Sequence, residues 1–204
     1  MNGDFPALAQ RIRVPLGFLL GVLFVLFSRP TPVLAAVGLS VALLGLGLRL
    51  WAAGCIEKSR ELEVSGPYQY TRNPLYLGSF ILGAGACIAA ANVWLIAIFV
   101  GLFWCVYGPV MKREEEEMLK LFPQRFPEYR CAVPLFVPRL TKPGSLPAGS
   151  VELSLEGQNR RLGDATPRPE IGFRWSRVLR NREYNAVVGF LGIFSWICFR
   201  LWKN

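Results

Sequence analysis

Ser65-Gly66-Pro67-Tyr68-Gln69-Tyr70-Thr71-Arg72-Asn73-Pro74-Leu75-Tyr76-Leu77-Gly78 is a polar stretch set between two long apolar blocks. Most of the chain before Trp51 is apolar, and Leu75 to Val110 is apolar again. A loop that only joins two membrane helices needs a turn and a few polar residues. This one concentrates tyrosines, an arginine and an asparagine. Pro67 and Pro74 lock their own φ and push Gly66 and Asn73 away from the helical region. The stretch reads as a shaped wall lying at a membrane surface.

The apolar blocks around it predict the fold. Of 204 residues, 52% are hydrophobic, and they come in runs near the length of about 20 residues that crosses roughly 30 Å of hydrocarbon. Val14 to Ser28 reads as a retained first span, and Arg29-Pro30-Thr31-Pro32 as a tight turn. Val33 to Ile56 is the second span. Near its end, Arg49 can snorkel and Trp51 can sit in the interface. Leu75 to Val110 is a hairpin of two spans turning at Ala91-Asn92-Val93, with Gly83-Ala84-Gly85 read as helix-packing residues. Asn185 to Trp202 is a final span. The expected fold is therefore all-α and polytopic, a four-helix membrane core with a fifth, C-terminal transmembrane helix. The expected organisation is a membrane core over 1–140, a polar linker over 141–169, and an amphipathic helix with the last span over 170–204.

The charge pattern orients this core. The net charge is +9, which would suit nucleic acid, but the basic residues sit in the loops that flank spans. Fourteen of the 23 lysines and arginines lie between Lys112 and Arg182, and Lys58, Arg60 and Arg72 follow the second span. The hairpin turn at Ala91-Asn92-Val93 has none. The positive-inside rule then puts the loop at 65–78 and the segment after Lys112 on the cytoplasmic side of a cell membrane, with no nucleic-acid partner. The chain has no histidine and an odd number of cysteines, five, with no C-x-x-C pair. Ser-His-Asp chemistry is excluded, and neither a disulfide framework nor a metal site is expected.

After the hairpin comes Lys112-Arg113-Glu114-Glu115-Glu116-Glu117-Met118. Apolar residues at helical spacing continue to Val133-Pro134, so the helix is expected to leave the membrane and lie along its surface. Uncompensated charge is costly next to a membrane helix, which marks at least one glutamate as functional. Ile171, Trp175, Val178 and Leu179 fall on one helical face, with Arg174, Arg177, Arg180 and Arg182 around the other, as in a helix lying on an anionic membrane.

Two segments carry a family resemblance. Gly66-Pro67-Tyr68 with Arg72-Asn73-Pro74-x-Tyr76-x-Gly78 resembles the Arg-His-Pro-x-Tyr-x-Gly segment of the isoprenylcysteine carboxyl methyltransferases, and the related phospholipid N-methyltransferases include Asn-Pro-x-Tyr forms. Glu114-Glu115-x-x-Met118, Phe122-Pro123, Phe126, Tyr129 and Val133-Pro134 resemble that family's second motif in order and spacing. The resemblance covers roughly 33–138. It implies methyl transfer from S-adenosylmethionine to a membrane-resident lipid or isoprenoid acceptor bearing a carboxyl, thiol or amine. It implies cofactor contacts from Tyr68, Arg72, Asn73, Pro74, Tyr76, Glu114 and Glu115, with Arg72, Asn73 and Tyr76 catalytic. Carboxylates can accept from ribose hydroxyls or an amino group, tyrosine faces can meet adenine or a sulfonium, and Arg72 can pair a carboxylate. In-line displacement depends largely on positioning and needs no metal. Asn73 replaces the histidine of many relatives, Pro123 a glycine and Phe126 a tyrosine, which bears on the acceptor more than on the cofactor. Membrane sterol reductases, which use NADPH, share a related scaffold with Arg-His-Pro-Asn-Tyr-x-Gly-Glu. Here Leu75 and Ser79 stand at the Asn and Glu positions, and the glutamate-rich second motif favours methyl transfer. A non-catalytic membrane scaffold explains the spans but not the paired motifs.

Overall fold

The computed structural model describes residues 16–56, 62–139 and 173–203, with 18 and 182 excepted. The head at Met1–Arg13, the 141–169 linker, and Ile171 and Arg182 of the expected amphipathic helix lie outside the described residues. Within them the chain is all-α. The first helix, α1, covers 19–27 of the expected first span. It is followed by α2 (Pro32–Cys55), a 3-10 turn at Gly66–Gln69, α3 (Pro74–Ala89), α4 (Val93–Leu121), α5 (Phe126–Ala132), α6 (Trp175–Arg180) and α7 (Tyr184–Lys203).

Three helices, α2, α4 and α7, are long and apolar enough to cross a membrane, and the apolar α3 is shorter. The 16 residues of α3 rise about 24 Å at 1.5 Å each. Val33, Leu44, Val93 and Trp94 are each at least 70% exposed, an arrangement that lipid stabilises and water does not. The chain is an integral membrane protein.

Local sequence sets the helix starts. Thr31 Oγ1 accepts from Leu34 N ahead of Pro32, Pro74 stands at the first position of α3, and Asn92 Oδ1 accepts from Trp94 N at 3.0 Å. Each satisfies, or dispenses with, a donor that the first helical turn leaves open. The expected turn at Ala91-Asn92-Val93 forms, with Ala91 at φ 53°, the left-handed region that non-glycine residues seldom enter. Asn92 Nδ2 donates to Phe27 O at 3.1 Å and Arg29 N to Ala90 O at 2.8 Å. The α3–α4 turn is thereby tied to the α1–α2 turn.

The most extensive packing is between α2 and α3. Gly38 faces Gly85, and Gly45 faces Gly78. A Cβ at Gly85 would stand 2.5 Å from Ala42 N and 2.7 Å from Gly38 O. Small residues let two helix backbones touch where apolar side chains would gain nothing over lipid. The packing role expected of Gly83-Ala84-Gly85 holds: Gly85 meets α2 and Gly83 meets the Phe99 ring.

Two expectations are corrected. The helix that carries the glutamate run does not continue to Val133 as expected. The run is the last part of α4, one helix of 29 residues, about 43 Å long at 1.5 Å per residue and so longer than the hydrocarbon is thick. The break comes at Phe122–Arg125, and α5 folds back to bury Phe126 and Tyr129 against Met118, Leu119 and Phe122. The second correction concerns the arginine-rich helix. α6 has six residues, and Arg177 and Val178 are both buried, while Trp175 and Leu179 are exposed. It docks on the end of α2, whose last carbonyls need donors, and Arg177 Nη1 supplies one to Cys55 O at 3.0 Å.

From that docked end, α7 runs back along α2 and α3, packing Phe190 against Ala42 and Leu46. At its far end Trp196 Nε1 donates to Ser28 Oγ at 3.2 Å and Arg200 Nη2 to Ser28 O at 2.7 Å.

Candidate active site

The end of α2, the start of α3 and the end of α4 meet at one end of the bundle, and the polar motifs meet there with them. The 65–78 loop is held against the stretch after α5 by backbone and short side chains. Arg72 N donates to Pro134 O at 2.9 Å, Arg139 N to Tyr70 O at 2.9 Å, and Asn73 Nδ2 to Leu135 O at 3.0 Å. Buried Thr71 donates from Oγ1 to Phe136 O at 3.0 Å. Tyr129 reaches back from α5 and donates to Tyr68 O at 2.7 Å. Gly66 starts the 3-10 turn at φ 55°, close to the Cys55 Sγ and the Trp51 ring, a position that favours glycine.

Beneath this lid of loops lies a cavity of about 660 Å³. Tyr68, Arg72, Asn73, Pro74, Tyr76, Glu114 and Glu115, the residues singled out from the sequence, all line it. Arg72 Nη1 donates to Glu115 Oε1 at 2.9 Å, and Arg130 Nε lies 2.7 Å from the same oxygen. Tyr76 Oη donates to Glu114 Oε1 at 2.6 Å, with its ring 5.3 Å from that of Tyr107. Glu116 is exposed and does not line the cavity, while Glu117 borders it and pairs with Arg113 one turn back.

Asn73 uses its amide as a tether to Leu135, and Pro74 is a buried helix start. Both shape the cavity, and the amide on Leu135 is a positional role that titration would not serve.

Among the described residues, the buried side-chain polar atoms with no hydrogen-bond partner are Tyr68 Oη, Arg72 Nε and Arg200 Nε. The first two belong to residues that line the cavity. Burial above all, then neighbouring Tyr129 and Glu63, hold the Tyr68 phenol well above its ordinary pKa. It is therefore a neutral O–H, a donor. Two buried donors that protein leaves unmatched fit a ligand rich in oxygen and nitrogen acceptors. With the carboxylates of Glu114 and Glu115 and the aromatic faces of Tyr68 and Tyr76, this donor set fits an adenosyl group with an amino-acid tail.

Sequence reasoning missed the second polar group in the cavity wall. Arg49, read as snorkelling, is held by Glu183, with Nε to Oε2 at 2.9 Å and Nη2 to Oε1 at 3.0 Å, and its Nη1 donates to Ser79 Oγ. Glu183 is 134 residues away along the chain, so no local signal could link the two. Arg130 and Tyr129 were missed as site residues too, although Tyr129 stood in the second motif.

Residues 33–125 match the family described as phospholipid methyltransferase. The chain is 34% identical over 114 residues to the nickel-cobalt-cadmium resistance protein NccN of Alcaligenes xylosoxydans xylosoxydans, covering 53% of each. It is 37% identical over 112 residues to the cobalt-zinc-cadmium resistance protein CzcN of Cupriavidus metallidurans, covering 53% of this chain and 49% of that one. A more distant similarity, 27% over 82 residues, 40% of this chain and 34% of the other, is to the protein-S-isoprenylcysteine O-methyltransferase of Saccharomyces cerevisiae. The matching segment spans about half the length of the two resistance proteins. No solved structure matches the chain. The resemblance read from the two motifs is thus met by both methyltransferase groups, with residues 33–125 matching the phospholipid methyltransferase family.

Proposed function

We propose that this protein transfers a methyl group from S-adenosylmethionine to a membrane-resident lipid or isoprenoid acceptor bearing a carboxyl, thiol or amine, at the cytoplasmic face of the cell membrane. The observation that supports it best is the convergence of both motifs on one cavity whose buried Tyr68 Oη and Arg72 Nε lack partners. When bound, S-adenosylmethionine supplies an electrophilic methyl group on a sulfonium. Glu114 and Glu115 would accept from its ribose or amino group, Tyr68 and Tyr76 would offer O–H groups and ring faces, and Arg72 would hold its carboxylate. Positioning by these groups serves an in-line displacement. Arg72, Asn73 and Tyr76 align the reacting ends. In this reading α1 to α4 form a four-helix membrane core with α7 as a fifth span, residues 1–140 are the catalytic core, and the 141–169 stretch links it to the C-terminal part. Names that speak of metal resistance describe a phenotype, which a change in membrane lipid would also serve.

The test is to incubate purified protein with methyl-labelled S-adenosylmethionine and fractionated membrane lipids. Label is expected in a lipid fraction. Label in water-soluble acceptors alone removes the lipid, and binding of NADPH in place of S-adenosylmethionine moves the chain to the reductase class. Orientation is tested separately. Single cysteines at Gln69 and Gln124, in a background without native cysteines, are expected to resist an impermeant thiol reagent until the membrane is opened.

A further inference from the structure

The C-terminal part lies outside the family match, yet it supplies Glu183 to the lining of the cavity. Asn181 Nδ2 donates to Ala53 O at 3.0 Å, Arg174 N to Gly54 O at 2.9 Å and Arg177 Nη1 to Cys55 O at 3.0 Å. The Phe173 ring fills the space that a side chain at Gly54 would need. So fixed to the end of α2, the segment delivers Glu183, 6% exposed, to Arg49. Arg49, Ser79 and Glu183 line the same cavity as the motif residues.

A buried ion pair adds little net stability, because desolvation offsets the attraction. This one, built between membrane helices, is better explained by what Arg49 can hold. Its two-toothed grip on Glu183 is the geometry by which a guanidinium takes any carboxylate or phosphate. The carboxylate of Glu183 therefore occupies the place of a ligand oxyanion. Ser79 braces the third nitrogen. Glu183 itself stands in the turn between α6 and α7, where a change of its side-chain rotamer disturbs neither helix.

The structure assigns Arg49 as the receptor for an oxyanion, carboxylate or phosphate ester, on the head of the membrane acceptor, with Glu183 as the resident counterion that this oxyanion displaces. The word acceptor rests on the methyl-transfer reading above; the oxyanion site does not. Arg72 and Glu115 hold the cofactor side of the cavity, and Arg49 and Glu183 select on the acceptor side.

The two members of the pair then act in opposite directions, which a structural clasp would not produce. The experiment measures binding of hexadecanoate, hexadecyl phosphate and hexadecanol, each carrying one fluorophore, to the full chain in phosphatidylcholine nanodiscs. Binding of S-adenosylmethionine is measured in parallel. Wild type is expected to prefer an anionic chain over the alcohol by about ten-fold, the factor that a charge-assisted hydrogen bond supplies. Glu183→Gln is expected to raise that preference by about three-fold or more, because the competitor is gone. Arg49→Gln is expected to abolish it. The double variant Arg49→Gln/Glu183→Gln removes both charges, is expected to keep the fold because no charge is left unpaired, and is expected to show no preference. Affinity for S-adenosylmethionine is expected to be unchanged throughout. The larger of the carboxylate and phosphate preferences identifies the head group. A preference that Glu183→Gln lowers or leaves unchanged, or that survives Arg49→Gln, overturns the assignment. Anion preference without any binding of S-adenosylmethionine would sink the methyl-transfer reading and leave the oxyanion site standing.

Discussion

α2 and α3 are used in two opposite ways along their length. Between Gly38–Gly85 and Gly45–Gly78 their backbones touch, and no larger side chain fits. One turn after Gly45 comes Arg49, and directly after Gly78 comes Ser79; there the same two helices present polar side chains to a cavity. The closed half contains no polar side-chain bond between the helices that is needed to hold them, since contact of small residues suffices. The open half is held by charges and by loop carbonyls. The closed half fixes the distance between α2 and α3, and that distance sets how wide the cavity can be. The seam is thus a mechanical support for the site, although none of its glycines contributes a functional group.

The largest effect is expected from breaking the seam. Gly85→Leu would drive a side chain into Ala42 N and Gly38 O, backbone atoms that cannot yield as a flexible side chain can. Overpacking of this kind costs about 1–3 kcal/mol or more, and here both helices must separate. Loss of the folded, monodisperse protein in detergent, or a melting temperature lowered by many degrees, is expected. Gly47→Leu, on the facing helix α2 but with open space around it, serves as the control and is expected to leave stability unchanged. Equal damage from both would mean that the glycine seam is not what holds the pair.

On the open side, Glu115→Gln is expected to weaken binding of S-adenosylmethionine by about ten-fold, the consequence of losing charge-assisted hydrogen bonds of about 1.5–3 kcal/mol. Glu115 is 13% exposed as a side chain and holds both Arg72 and Arg130, so its loss releases Arg72 as well. Glu116→Gln, exposed on α4 and not among the residues that line the cavity, is expected to change nothing in the same titration. Calorimetry on purified protein decides it, and equal affinities for wild type and Glu115→Gln would take the glutamate out of the site.

The two halves also differ in how far the sequence revealed them. Both motifs and their convergence were legible, because the residue types are unusual beside apolar runs and the hairpin turn at Asn92 is marked by its own chemistry. The role of Gly85 in packing was legible, but the partnership was not drawn. Gly38 and Gly45 have the same seven-residue spacing as Gly78 and Gly85, and that repeat was the available signal. Helix continuity through Lys112 was legible, but the break at Phe122–Arg125 was not, because the apolar spacing runs on across it to Val133. The Arg49–Glu183 pair could not have been found. A contact between residues so far apart is fixed only when α7 and the α6 segment dock on α2, and neither residue type is rare at the end of a span.

A smaller effect separates the loop lid from the cavity under it. Thr71→Val keeps the shape of a residue that is 1% exposed and removes the hydroxyl that serves Phe136 O and Asn73 N. Leaving buried polar groups unmatched costs about 1–3 kcal/mol. The melting temperature is expected to fall by several degrees. If the lid is a separate unit, anionic-lipid binding at Arg49 is expected to survive, and its loss would show that lid and acceptor wall form one unit.

The smallest effect is set by pH. Burial raises the phenols of Tyr68 and Tyr129 above their ordinary value in the folded protein, which is about 10 in an unfolded chain. Between the unfolded and the folded values, the unfolded chain has released these protons and the folded one has kept them. The unfolded state then binds fewer protons, so stability falls as pH rises. The contribution is fully present below about pH 10 and is lost progressively above it, at a slope of at most about 1.4 kcal/mol per pH unit for each group. Between about pH 9 and pH 10.5 the loss is therefore under about 1 kcal/mol per tyrosine. Tyr68→Phe removes one group and is the cleaner test, because its hydroxyl has no partner in the protein, whereas Tyr129→Phe also cuts the bond to Tyr68 O. Melting curves of detergent-solubilised wild type and Tyr68→Phe at these two pH values are expected to show a shallower decline in the variant. Parallel declines would mean that the Tyr68 hydroxyl meets water in the open cavity, and would remove it from the set of buried donors awaiting a ligand.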